Sequence, residues 1–172
     1  KRKMNVLSHL GCDKVFDYFE KICEIPHGSF HEKALSDYIV SFAKERGLYC
    51  RQDNKMNVLI KKGGTADYES SPVLIMQGHI DMVCDKNEDT THDFLTEPLE
   101  IYIDGDDIKA RGTTLGADNG IAAAYMLALL DAEDIAHPPL ECIFTVEEEI
   151  GMGGATDFDA FDLEGKRFLN MD

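Results

Sequence analysis

Three short apolar runs, each ending in a polar or acidic cluster, constrain this chain most. Val73-Leu74-Ile75-Met76 is apolar throughout, the pattern of a strand covered on both faces, and it leads into Gln77-Gly78-His79-Ile80-Asp81. Leu140 to Val146 is a second buried strand, leading into Glu147-Glu148-Glu149 and the turn Gly151-Met152-Gly153-Gly154. Phe168-Leu169-Asn170-Met171 begins one more, and Asp172 follows it. Strands of this kind need helices packed against the sheet.

The helices are legible by period. Val15, Phe16, Phe19, Ile22 and Cys23 form one apolar stripe from Asp13 to about Glu24, stopped by Pro26. Ser29-Phe30-His31-Glu32 has the capping-box spacing ahead of a second helix, whose buried face is Leu35, Tyr38, Ile39, Phe42 and Ala43 and whose end is Gly47. Leu48 to Gln52 and Asn57 to Lys61 read as a hairpin around Asp53-Asn54-Lys55. A second turn, Asp104 to Asp107, joins Ile101–Ile103 to Ile108–Ala110. A Gly-rich loop at 112–120 opens a strong helix, Ile121 to Leu130. The order predicts an α/β fold, a mixed β-sheet flanked by helices, in one domain.

Composition narrows the function. With 17 Lys and Arg against 33 Asp and Glu, the formal charge is −16, so nucleic acid and anionic membranes are poor partners. Such an excess first serves solubility, and it also suits a site that concentrates divalent cations. No stretch approaches the roughly 18 apolar residues of a membrane span. Lys1-Arg2-Lys3 is basic, but the residues after it are too short and polar for a signal peptide. The first residue is not Met, as expected of a piece of a longer protein. Five cysteines, with no Cys-x-x-Cys pair, fit reduced thiols in a cytosol.

Chemistry concentrates at the strand ends, where α/β proteins place their sites. His79 and Asp81 are two apart, so an extended strand directs both to one side. A histidine beside a core strand is more often structural than ligating, but a nearby carboxylate is the usual partner of a ligating imidazole. Asp118 stands in Gly112-Thr113-Thr114-Leu115-Gly116-Ala117-Asp118-Asn119-Gly120. That loop lacks the Lys of a phosphate loop, and its Asp serves equally as a helix cap or as an acid held towards a cation. Glu147-Glu148-Glu149 reads either as a solvated acidic face or as ligands at a strand end. His, Asp and Glu together are ligands for zinc, manganese or cobalt. A calcium loop starting at Asp104 fails because its twelfth position is Leu115.

Taken together, Gln77-Gly78-His79-Ile80-Asp81-Met82-Val83, Thr91-His92-Asp93-Phe94, the Ala110 to Gly120 segment and Glu148-Glu149-x-Gly151-Met152 resemble the aminoacyl-histidine dipeptidases. These are two-zinc exopeptidases, grouped with peptidase T and carboxypeptidase G. The resemblance implies that His79 and Asp172 bind one metal, that Glu149 binds the other and that Asp118 bridges them. It further implies a cis peptide bond between Asp118 and Asn119, Asp81 orienting His79, and Glu148 as general base. Two divalent ions, zinc or else cobalt or manganese, would then activate a water that attacks a dipeptide of the Xaa-His type.

Relatives of this kind continue through an inserted lid domain, which dimerises them, and a histidine from a late segment completes the second metal site. The 172 residues are accordingly expected to be the N-terminal portion of a catalytic domain, inactive alone and cytoplasmic in the complete protein. The other histidines, at 9, 27, 31, 92 and 137, match no late-segment motif; His92 is read as structural and His137 as a surface or capping residue. A carboxypeptidase or N-acyl amino acid deacylase is the nearest alternative, and a non-catalytic metal-binding module the alternative from another class.

Overall fold

The computed structural model describes residues 6–8, 10–11 and 13–172. Lys1-Arg2-Lys3, His9 and Cys12 lie outside the described residues.

Helix α1 (Asp13–Cys23) and helix α2 (Lys33–Glu45) come first, followed by a hairpin of β1 (Tyr49–Gln52) and β2 (Val58–Lys62). Strand β3 (Leu74–His79) precedes a separate two-stranded hairpin, β4 (Ile101–Asp104) and β5 (Asp107–Ala110). Helix α3 (Ala117–Asp131), strand β6 (Leu140–Thr145), a short helix α4 (Gly153–Asp157) and strand β7 (Arg167–Asn170) complete the order.

The main sheet runs β1-β2-β6-β3-β7. The β1–β2 and β2–β6 pairs are antiparallel, whereas β6–β3 and β3–β7 are parallel. The mixed α/β fold read from the sequence is therefore the one observed. Its consequence for the site is direct: β3, β6 and β7 all end at the same rim. Gln77 pairs with Asn170, so two residues further on His79 and Asp172 stand level and, by the two-residue period of a strand, on the same side.

One face of the sheet carries Val58, Ile60, Met76, Cys142 and Phe144, buried against residues of α1, α2 and α3 such as Phe19, Ile22, Leu35, Ile39 and Leu127. The alternate residues Leu59, Ile75 and Ile143 point the other way and are covered by Phe158 and Leu163. Helix α3 sits close on β3 because residue 78 is glycine: a Cβ there would lie 2.9 Å from the Ala122 Cβ. That close approach brings the start of α3 to the end of β3.

Several local expectations change. The capping box does not form: α2 starts at Lys33, Glu32 makes no side-chain cap bond, and a turn with His31 N–H donating to the Gly28 oxygen at 2.8 Å sets Ser29 outside the helix. His137 is buried rather than at the surface, 4% exposed, because Thr65 folds over it and bonds its backbone N–H and oxygen. Helix α4 breaks the reach between β6 and β7 without any sequence period to announce it. Strand β7 is an edge strand whose Phe168 and Leu169 are 59% and 46% exposed. Tyr125, Ile135, Leu169 and Met171 line an open groove of about 890 Å³ beside it.

Candidate metal centre

His79 closes β3 and is 1% exposed. Its Nδ1 lies 2.9 Å from the Asp81 backbone oxygen and 3.3 Å from Asp81 Oδ1. A carbonyl oxygen can only accept, so Nδ1 donates and Nε2 is the atom turned to the rim. There Nε2 meets Asp118 Oδ1 at 3.1 Å, Glu148 Oε2 at 3.8 Å and Asp172 Oδ2 at 3.9 Å.

Each carboxylate arrives from a different element. Asp118 stands at the start of α3, where it and Asn119 depart from helical geometry and the Asp118–Asn119 peptide bond is cis. Glu148 and Glu149 occupy the turn after β6, and Asp172 follows β7. Two triads result, His79 with Glu148 and Glu149, and His79 with Asp118 and Asp172; within each, the ligand atoms lie within 4.8 Å of one another. Glu147 is separated from them: its carboxylate pairs with Lys55 at 3.4 Å.

Asp81 organises the arrangement from behind. Its side chain is fully buried, and it accepts the Ser29 hydroxyl at 2.8 Å and the backbone N–H groups of Glu148 and Glu149 at 3.0 and 3.2 Å. Burial is the largest influence on Asp81 and would raise its pKa, but these donors and His79 outweigh it, and the pKa is lowered. For His79, burial likewise opposes the charged form most strongly. The hydrogen bond and charge of Asp81 and the hydrogen bond to Asp118 overcome it, pushing the pKa up to about 9. Glu149 is raised, by burial first and then by the charges of Asp118 and Glu148.

These residues fit a cation. The surroundings of His79 Nε2 favour positive charge at that point, which a divalent ion supplies in place of a proton. Among the described residues, no Lys or Arg nitrogen lies within 4.0 Å of the Asp118, Glu148, Glu149 or Asp172 carboxylates; the ion pairs of Asp118, Glu148 and Asp172 are with His79 alone. Several carboxylates converging on one buried imidazole repel one another unless a cation is shared among them. Imidazole and carboxylate are donors that zinc accepts.

Among the described residues, the other histidines belong to neither triad. His92 packs edge-on against Phe94 at 4.6 Å, and His27 is buried with Nδ1 bonded to the Ile25 oxygen at 2.6 Å. Sequence reasoning missed Ser29 and Glu32, which it assigned to a helix cap. Glu32 Oε1 accepts the Glu147 backbone N–H at 3.1 Å. No signal in the sequence pairs loops so far apart.

A sequence model of the peptidase family M20/M25/M40 matches residues 75–169, more than half of the chain. The chain belongs to this family. Among M20/M25/M40 relatives, the cytosol non-specific dipeptidase of Escherichia coli is 47% identical over 169 residues, which is 98% of this chain and 35% of that protein. The crystal structure of aminoacylhistidine dipeptidase from Vibrio alginolyticus matches with a TM-score of 0.94 at 48% identity, over 96% of this chain and 34% of that one. The aminopeptidase PepT of Bacillus cereus shares the fold, with a TM-score of 0.76 at 20% identity over 93% of this chain and 43% of its own. The chain thus spans about a third of the length of the dipeptidases it matches.

Proposed function

We propose that this chain is the metal-binding, N-terminal portion of the catalytic domain of a cytosolic metallo-dipeptidase, hydrolysing dipeptides of the Xaa-His type with two divalent ions, zinc first among the candidates. The observation that carries this reading is the convergence of Asp118, Glu148 and Asp172 on His79 Nε2 at 3.1, 3.8 and 3.9 Å. The names of the dipeptidases from E. coli and V. alginolyticus support the reaction class. Four free thiols among the described residues, Cys23, Cys50, Cys84 and Cys142, accord with a reducing cytosol. No helix among the described residues is long and apolar enough to cross a membrane. The complete protein is proposed to dimerise through a lid domain.

In this reading His79 and Asp172 would hold one ion, Glu149 would hold the other, and Asp118 would serve both. Such a pair supplies Lewis acidity, activating water and polarising the scissile carbonyl. The protein's own residues do the rest. Glu148 accepts a proton from the attacking water and returns it to the departing amine nitrogen, so the carboxylate is regenerated each cycle. Asp81 keeps His79 in the tautomer whose Nε2 is free to bind. No covalent nucleophile takes part.

The test is Glu148→Gln in the complete, zinc-loaded gene product, assayed for amine release from an Xaa-His dipeptide. Turnover should fall by roughly 10²–10⁴-fold while zinc content is kept. Turnover near that of the parent would remove Glu148 as the base, and a parent without hydrolysis would remove the peptidase reading.

A further inference from the structure

The loop between α1 and α2 has no catalytic residue assigned to it, yet it is strapped to the candidate site. Gly28 forms a parallel bridge with Met82, whose N–H donates to the His27 oxygen at 3.2 Å. The approach is so close that a Cβ at residue 28 would lie 2.4 Å from the Cys84 sulfur. Four residues beyond Gly28, the buried Glu32 holds the Glu147 N–H. Between them Ser29 Oγ donates to Asp81 Oδ2 at 2.8 Å. Phe30, the next residue, adopts φ +69° and is 68% exposed. A left-handed conformation costs a non-glycine residue free energy, and an exposed residue recovers little of it by burial. Ser29 and Glu32, on either side of it, are both bonded through their side chains to the site loops.

We propose that Ser29 is a positioning residue of this site, its hydroxyl fixing the Asp81 carboxylate that aims His79 and holds the Glu148–Glu149 turn. Asp81 Oδ1 serves His79 Nδ1 and the Glu148 N–H, at 3.3 and 3.0 Å. Oδ2 serves Ser29 and the Glu149 N–H, at 2.8 and 3.2 Å. Without the hydroxyl, Oδ2 keeps only the longer of its two bonds, and the carboxylate is free to turn. Any rotation moves Oδ1 too, so the acidic turn loses its anchor and the imidazole keeps only the Asp81 backbone oxygen at 2.9 Å. This rests on the reading of His79 as a ligand and Glu148 as the base. Ser29 touches neither substrate nor ion and acts through Asp81 alone.

The experiment compares Ser29→Ala and Ser29→Thr with the parent, in the complete gene product. It measures zinc affinity by chelator competition, kcat and KM on an Xaa-His dipeptide, and melting of the zinc-stripped proteins. Ser29→Ala should weaken zinc binding and lower kcat by about 10-fold or more each, with KM changed less than about twofold, and Ser29→Thr should restore both to within about threefold of the parent. Zinc affinity and kcat of Ser29→Ala within about twofold of the parent would overturn the proposal. So would equal losses in both variants, or losses that only follow a lowered melting temperature. If the parent hydrolyses no dipeptide, the peptidase reading falls by itself, and the zinc affinities still decide the role of Ser29.

Discussion

The backbone N–H of Glu148 donates to Asp81 Oδ1 at 3.0 Å. Since the same oxygen lies 3.3 Å from His79 Nδ1, the end of β3 and the turn after β6 behave as one unit. The strand that carries His79 and the turn that carries Glu148 and Glu149 are thus registered to each other through a single buried carboxylate, independently of the sheet bonds that stop at Thr145.

That arrangement makes Asp81→Asn informative. An amide has one acceptor oxygen, so it cannot accept from both Glu148 and Glu149 while also serving His79. Zinc affinity should fall by about 10–100-fold, as measured by competition with a chelator. Urea unfolding should show a loss of about 1–3 kcal/mol from the buried donors left without a partner. An Asp81→Asn protein with parental zinc affinity would deny the Asp81 carboxylate any part in orienting the imidazole.

Asn57 supports the other side of the same turn. It is 1% exposed, its Oδ1 accepts the Val146 N–H at 3.1 Å, and its Nδ2 donates to Asp53 Oδ2 at 2.7 Å and the Gly154 oxygen at 3.0 Å. Asn57→Ala removes all of these and strands buried backbone groups. The expected destabilisation is about 2–3 kcal/mol, read from the midpoint of a denaturant titration. A shift under about 0.5 kcal/mol would mean that water replaces the amide at no cost.

Acid stability should depend on Asp131, at the end of α3. Lys14 Nζ lies 2.8 Å from one of its oxygens and Arg46 Nε 2.7 Å from the other. Burial raises its pKa most, but the hydrogen bonds of Lys14, Arg46 and Tyr18 prevail and lower it from 3.8 to about 2. The folded pKa lies below the unfolded one, so this contribution is present above about pH 4 and is lost as pH falls towards about 2. Asp131→Asn should therefore lose less stability than the parent between about pH 5 and about pH 2, compared by urea unfolding at each pH. Parallel curves for the two proteins would exclude Asp131 as a source of the acid sensitivity.

Much of the fold could be read from residue order because its signals are local. The stripe Val15, Phe16, Phe19, Ile22 and Cys23 specifies α1 by period alone, and Val73–Met76 announces a strand buried on both faces. The Ser29–Glu32 spacing misled for an equally local reason. A serine three residues before a glutamate satisfies a helix end in isolation, whereas here Asp81 and the Glu147 N–H compete for the same two side chains and win. His137 was misplaced because burial by Thr65 comes from a segment more than seventy residues away.

The sequence by itself determined which residues could carry chemistry: His79, Asp81, Asp118, the Glu147–Glu149 triplet and Asp172 all stand at the ends of recognisable elements. Only the tertiary structure decided which of them meet. Strand order and register brought His79 level with Asp172, the absent side chain of Gly78 let α3 carry Asp118 to the rim, and Lys55 drew Glu147 away from its two neighbours. The physical reason is range. Periodicity and turn preference act within a few residues, while a cluster of like charges is assembled by packing between segments that the chain keeps far apart.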